Sequence, residues 1–250
     1  MHFFVIKRSM IYFLGILTFI TLSIFVNGSN VVKTMTVKEN IPIYCVKTEE
    51  KKIAVTFDSA WDDNDLSEVL KALSDYDCRA TFFVVGDFVE KYPDRVKEMY
   101  EKGHEIANHS DTHPHTNTLS REELVAEMDN CDKKIKDITG QEEVLFRAPY
   151  GEYNNLLVQT CNDTKRFCIQ WDVDSLDWKG LTADMIVKRV CEKVKNGSII
   201  LLHNGAENTA KALPELLCNL KNEGYEFVTV SDLIYKDSYV IDHTGMQIPK

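Results

Sequence analysis

Ile53-Ala54-Val55-Thr56-Phe57 is a short, mostly apolar run that stops on Asp58. A run of this length without polar alternation reads as a strand covered on both faces. Asp65-Leu66-Ser67-Glu68 follows with the pattern of a capping box, and Leu66, Val69, Leu70 and Leu73 then share one helical face. The same strand–helix step recurs along the chain. Further strands are expected at 80–85, 105–108, 144–146, 166–170, 198–202 and 227–230. Between them, Pro93 opens a helix that ends before Gly103, and Ser120 and Glu123 form a second capping box. The helix behind that box puts Leu124, Met128, Cys131, Ile135 and Ile138 on one side and stops at Gly140. Helices are also expected at 153–161, 182–195 and 208–223, with a short one after Ser231. Seven such steps without a long interruption predict one α/β domain with a parallel sheet, either open or closed into a barrel.

The composition agrees with a packed domain. The chain has 250 residues, 44% of them hydrophobic and 27% charged, which argues against disorder. A formal net charge of −10 excludes nucleic acid as a partner, because phosphate binding needs a basic face. Lys7 and Arg8 precede an uncharged apolar run at 9–26. A membrane-spanning helix takes roughly 17–25 residues, and flanking cations keep their own end inside the cell. Residues 1–28 are therefore read as a signal anchor, with a cleaved signal peptide as the alternative. The domain would then lie outside the cell, membrane-tethered or secreted. Residues 29–50 read as a linker, 51–236 as the domain and 237–250 as a polar tail. The seven cysteines are odd in number and include no Cys-x-x-Cys pair, so free, mostly buried thiols are expected.

Polar chemistry falls just past the strand ends, where parallel α/β folds gather functional groups. Asp58 follows the first strand, His109 and His113 the third, and Arg147 the fourth. Asp172, Asp174 and Asp177 follow the fifth, and His203 follows the sixth. Two imidazoles four residues apart are a recurrent way to hold a divalent metal, and His115 offers a competing pair. Taken singly, each residue has an ordinary explanation: a polar loop for the histidines, a turn residue for Asp58, a buried structural imidazole for His203. Their recurrence at the same end of five of the seven expected strands is what favours a shared site. Arg147 is suited to gripping a carboxylate, and Trp171 and Trp178 bracket the three acids with surfaces on which sugars stack.

Thr56-Phe57-Asp58, His109-x-x-x-His113, Arg147-Ala-Pro-Tyr-Gly, Asp174-Ser-Leu-Asp177-Trp178 and Leu201-Leu-His203 resemble, in order, the five motifs of polysaccharide deacetylases. These are the NodB-homology enzymes of carbohydrate esterase family 4. The resemblance covers roughly residues 50–235 and implies a distorted (β/α)7 barrel. It also implies metal-dependent removal of N-acetyl groups from amino-sugar polymers, with Zn2+ or Co2+ as the metal. Peptidoglycan is the first expected substrate and chitin oligomers the second. Carried over position by position, Asp58 would be the catalytic base, oriented by Arg147. His109 and His113 would bind metal. Tyr150 would offer its backbone N–H to the oxyanion. Asp177 would tune His203, the general acid, and Trp178 and Leu201 would line the acetyl pocket. The family pattern usually has a second Asp after the base, as third metal ligand; here the position is Ser59. Water, Asp58, Asp62 or Asp63 would then have to complete the shell. The same resemblance allows a muramic acid deacetylase of sporulation, or a non-catalytic wall-binding module with a degenerate metal site.

Overall fold

The computed structural model describes residues 40–142 and 144–250. The apolar run at 9–26, and the anchor or signal expected there, lie outside the described residues. Among the described residues no helix is long and apolar enough to cross a membrane.

The sheet is built from β2 (Lys52–Ser59), β3 (Thr81–Val84), β4 (Glu105–Asn108), β5 (Leu145–Phe146), β6 (Phe167–Cys168), β7 (Val173–Asp174) and β8 (Ile199–His203). They pair in the order β6-β5-β4-β3-β2-β8-β7, every pair parallel, and β9 (Glu226–Phe227) pairs with the start of β2. The two edge strands, β6 and β7, are consecutive in the chain. The result is a half-barrel, the distorted form of the expected barrel.

Strand alternation sorts the side chains into two layers. Ile53, Val55 and Phe57 of β2 pack with Phe82, Val84, Ile106, Ile200 and Leu202 under the helices. Ala54 faces the other way, into an inner cluster with Phe83, Ala107, Leu145 and Ile199. The inner parity continues outward along the strands. Thr56 and Asp58 share it with Ala54, His109 shares it with Ala107, Arg147 with Leu145, and Leu201 and His203 with Ile199. Because all these strands are parallel and in register, the same parity delivers these groups to one rim.

The helices largely follow the sequence. Ser120 caps Arg121–Thr139 with the full reciprocal box, and Gly140 ends it in the left-handed conformation. Thr182 caps Ala183–Cys191, and the last long helix runs Thr209–Asn222. Asp65 departs from expectation. It sits at the cap position of Leu66–Asp75 but makes no side-chain cap bond. Its carboxylate is used elsewhere, as described below.

Three further differences concern short elements. The expected strand at 166–170 is two residues long and is followed after a bend by a separate strand, β7. The expected strand at 227–230 is also cut to two residues, because Thr229 turns the chain by capping Val230–Leu233. The stretches read as linker and polar tail are structured where described. β1 (Cys45–Val46) pairs in parallel with β11 (Met246–Pro249), which pairs antiparallel with β10 (Tyr239–Ile241). Ile43 bonds through its N–H to Cys168 O at 2.9 Å and through its O to Gln170 N at 2.7 Å. Val46 N reaches Gly197 O at 2.9 Å. The 43–46 segment thus runs between β6 and the start of β8, across the gap in the half-barrel. All seven cysteines are free, five of them buried.

Candidate active site

Arg147 directly follows β5 and is fully buried. Its Nη1 donates to Asp58 Oδ1 at 2.7 Å and to Thr56 Oγ1 at 2.9 Å, and its Nη2 donates to Gln170 O at 3.2 Å. The guanidinium lies 3.9 Å from the centre of the Phe83 ring and 5.5 Å from that of Trp171. A buried charge persists only when paired and hydrogen-bonded, and Asp58 supplies the pairing. Burial alone pushes the Asp58 carboxyl up, but the charge of Arg147 leads the effects that outweigh it and hold the group below its ordinary value. Asp58 is therefore a fixed, ionised carboxylate.

His109 lies beside it. Its Nδ1 is 2.8 Å from the backbone oxygen of Arg147. A carbonyl only accepts, so Nδ1 carries the proton and Nε2 carries a lone pair. Nε2 faces Asp58 Oδ2 at 3.5 Å. Burial, the largest effect on His109, lowers its pKa, so the ring is neutral and this contact is not an ion pair. Two acceptors face each other with no proton between them, an arrangement that a cation or a bridging water relieves.

His113 stands edge-on to His109, ring centres 5.1 Å apart. Burial and then the neighbouring His109 bring its pKa down to about 4, so it too is a neutral imidazole near pH 7. Ser59, next after Asp58, is buried and its hydroxyl has no hydrogen-bond partner. Among the described residues no three His, Cys, Asp or Glu side chains converge as a metal-binding set. Asp63 is turned to Arg95, Nε to Oδ2 3.4 Å, and Asp62 Oδ1 accepts from Asn64 N–H at 3.1 Å. The loop acids offered as a third ligand are thus engaged elsewhere. The residues present fit a divalent ion at two neutral imidazoles, with an unpartnered hydroxyl where the family pattern has a carboxylate.

His203 ends β8, in register with Asp58 on β2. Its Nδ1 is 2.8 Å from Asp177 Oδ1, and its backbone N–H donates to Asp177 Oδ2 at 2.7 Å. Asp177 also accepts from Trp178 N–H at 2.8 Å and Thr209 Oγ1 at 2.7 Å. Burial disfavours the imidazolium, but the hydrogen bond and charge of Asp177, then the charge of Asp58, outweigh it and raise the His203 pKa. Nδ1 is committed to Asp177, so Nε2 is the nitrogen left to act.

Tyr150 follows Arg147 on a tight turn with φ of 59°, a left-handed conformation unusual for a non-glycine residue. Its ring, 58% exposed, stacks on His115 with centres 4.4 Å apart and meets His113 edge-on at 4.5 Å. His115, the competing imidazole, has Nδ1 3.1 Å from Glu152 Oε1 and so belongs to this wall. Trp178 is half-exposed beside Asp177, and Leu201 is buried in register with Thr56. Of the acids after the fifth strand only Asp177 meets His203; Asp172 accepts from Ser198 Oγ at 3.0 Å and Ile199 N–H at 2.9 Å. Three features go beyond the motif pattern: Thr56 as a partner of Arg147, the unpartnered Ser59 hydroxyl, and Trp61. Trp61 stacks on His203 with ring centres 5.3 Å apart at 18°; its position just past the first strand was the available signal.

Fold and rim together define an α/β half-barrel with a buried carboxylate–guanidinium pair, a histidine pair and an Asp-backed histidine at the carboxyl ends of its strands. Residues 46–166 match the family model described as polysaccharide deacetylase. A peptidoglycan-N-acetylglucosamine deacetylase of Bacillus cereus is 37% identical over 195 residues, 76% of this chain and 91% of the relative. The peptidoglycan-N-acetylglucosamine deacetylase PgdA of Listeria monocytogenes is 36% identical over 183 residues, 73% of this chain, which spans 39% of that relative's length. The solved structure of a pseudoenzyme of carbohydrate esterase family 4 from Bacillus anthracis superposes with a TM-score of 0.74 at 31% identity, covering 78% of this chain and 69% of that one. The chain belongs to the polysaccharide deacetylase family.

Proposed function

We propose that this chain is a metal-dependent N-deacetylase of amino-sugar polymers, with peptidoglycan N-acetylglucosamine as its substrate. One observation carries the reading: the Asp58–Arg147 pair, the neutral His109 and His113, and the Asp177-backed His203 occupy one rim with opposite protonation preferences. Amide hydrolysis needs a base and an acid held apart in pKa, and environments that push two groups in opposite directions assign those roles.

Asp58, ionised and fixed by Arg147, takes the proton of the attacking water. His109 and His113 would hold a divalent ion, zinc first and cobalt second. Such an ion polarises a carbonyl oxygen and lowers the pKa of water. The backbone N–H of Tyr150 donates to the carbonyl oxygen as it gains charge, a contact worth about 2.7–4 kcal/mol when aimed correctly. His203, kept protonated by Asp177, gives its proton from Nε2 to the departing nitrogen. Trp178 and Leu201 bound the space for the acetyl group. An extracytoplasmic location, tethered or cleaved at the apolar run of residues 9–26, and the domain limits 51–236 are part of this proposal and rest on the sequence.

The test is acetate release from purified peptidoglycan and from N-acetylglucosamine oligomers, with zinc or cobalt added and after chelation. Metal-dependent release is expected. No release from any amino-sugar polymer by metal-loaded protein overturns the reading. Ser59 favours a second one, a wall-binding module without turnover, because a hydroxyl is a poorer zinc ligand than a carboxylate. Glycan binding by metal-free, inactive protein would support it. Release from muramic residues alone would move the substrate to muramic acid.

A further inference from the structure

His203 is held by Asp177 at one point of its ring edge. A single hydrogen bond at Nδ1 fixes that nitrogen but leaves the imidazole plane free to tilt about it. The second restraint comes from the loop after β2, the strand paired with β8. After β2 the chain runs Ser59-Ala60-Trp61, and the Trp61 indole lies nearly parallel to the imidazole, centres 5.3 Å apart at 18°. Trp61 is 48% exposed, so it is not there to fill a core.

The loop that carries Trp61 is tied to the residues after His203 by two further bonds. Asn204 Nδ2 donates to Asp62 O at 2.7 Å, and Gly205 N–H donates to Asp65 Oδ1 at 2.7 Å. This explains why Asp65 sits at a helix cap without capping. Its carboxylate joins two loops that are far apart in sequence.

We propose that Trp61 is a positioning residue for His203, fixing the plane of the imidazole so that Nε2 meets the leaving nitrogen. An aromatic face also attracts the imidazolium, the form that donates the proton. The proposal rests on the deacetylase reading and names the residue that orients its acid.

Leaving-group chemistry isolates this role. An amine must be protonated as it departs, whereas 4-nitrophenolate leaves without an acid. A residue acting through His203 therefore matters for an acetamide and little for an aryl acetate. The experiment compares wild type, Trp61→Ala and Trp61→Phe, all zinc-loaded and folded by circular dichroism, on an N-acetylglucosamine oligomer and on 4-nitrophenyl acetate. General acid–base groups contribute about 10²–10⁴-fold, and partial misorientation forfeits part of that. Trp61→Ala is expected to lower kcat on the oligomer at least about tenfold more than it lowers aryl acetate cleavage, with Trp61→Phe recovering most of the difference. Equal losses on both substrates, a loss confined to KM, or no loss overturns the proposal. Wild-type protein that cleaves the ester but no acetamide refutes the deacetylase reading itself, and the proposal falls with it.

Discussion

Replacing Arg147 by methionine tests whether Asp58 is a base made by its surroundings. Methionine keeps much of the volume against Phe83 and Trp171 but removes the donors to Asp58, Thr56 and Gln170 O. Breaking a buried ion pair from one side costs roughly 3–5 kcal/mol, because the remaining charge is left uncompensated. Urea unfolding at pH 7 should show a loss of that size through the midpoint, with an unchanged slope. Removing Asp58 as well, in Asp58→Asn/Arg147→Met, should recover part of it, a coupling on the order of 2 kcal/mol.

The sign of the pH dependence is more telling. In the wild type the folded pKa of Asp58 is depressed, so its contribution is present above the unfolded value and lost as pH falls through the folded one. Without Arg147, burial dominates and the folded pKa rises above the unfolded one. Folding of Arg147→Met is then penalised at pH 7, and the penalty relative to wild type shrinks as the pH falls towards 5. The acid limb of kcat/KM moves to higher pH in the variant, since Asp58 must be unprotonated to act. A loss below about 1 kcal/mol, additive single changes, or a penalty independent of pH would refute the reasoning.

Three further outcomes are expected. His203→Ala should abolish acetamide turnover while zinc affinity, measured by calorimetry, stays near wild type; loss of the metal would show that His203 had been assigned the wrong role. Ser59→Asp should bind zinc at least about tenfold more tightly, about 1.4 kcal/mol, because a carboxylate replaces an unpartnered hydroxyl; unchanged affinity would place Ser59 outside the metal shell. His104 is buried and accepts from Ala80 N–H at 3.2 Å, and burial brings its pKa down to about 4. Its folded value lies below its unfolded one, so stability should fall by up to about 3 kcal/mol as pH drops from about 6.5 to 4, and His104→Asn should flatten that part of a stability–pH curve.

Much of the rim was legible because a mostly apolar run ending on a polar residue marks the end of a buried parallel strand. Asp58, Arg147 and His203 each have that signature, and period-two alternation then says which face they take. What stayed hidden depends on partners distant in sequence. Asp65 carries a sound local cap signature, and only the Gly205 N–H, from another loop, shows that its carboxylate is otherwise engaged. Trp61 reads as a loose aromatic after a strand until His203 is placed under it. The terminal strands are two to four residues long, too short for alternation to show, and exist because β11 pairs with both β1 and β10. The strands at 166–170 and 227–230 are shorter than their sequence runs for a related reason: a bend or a capping threonine ends them, not a change in hydrophobicity.

The deacetylase reading requires one cleft to hold the metal ligands, the base and the acid. Diffraction at the zinc absorption edge from zinc-loaded crystals tests it most directly. A single anomalous peak is expected about 2.0–2.1 Å from His109 Nε2 and from a ring nitrogen of His113, on the Asp58 side and facing His203. Stoichiometric zinc at any other place, with these two imidazoles bare, would contradict it.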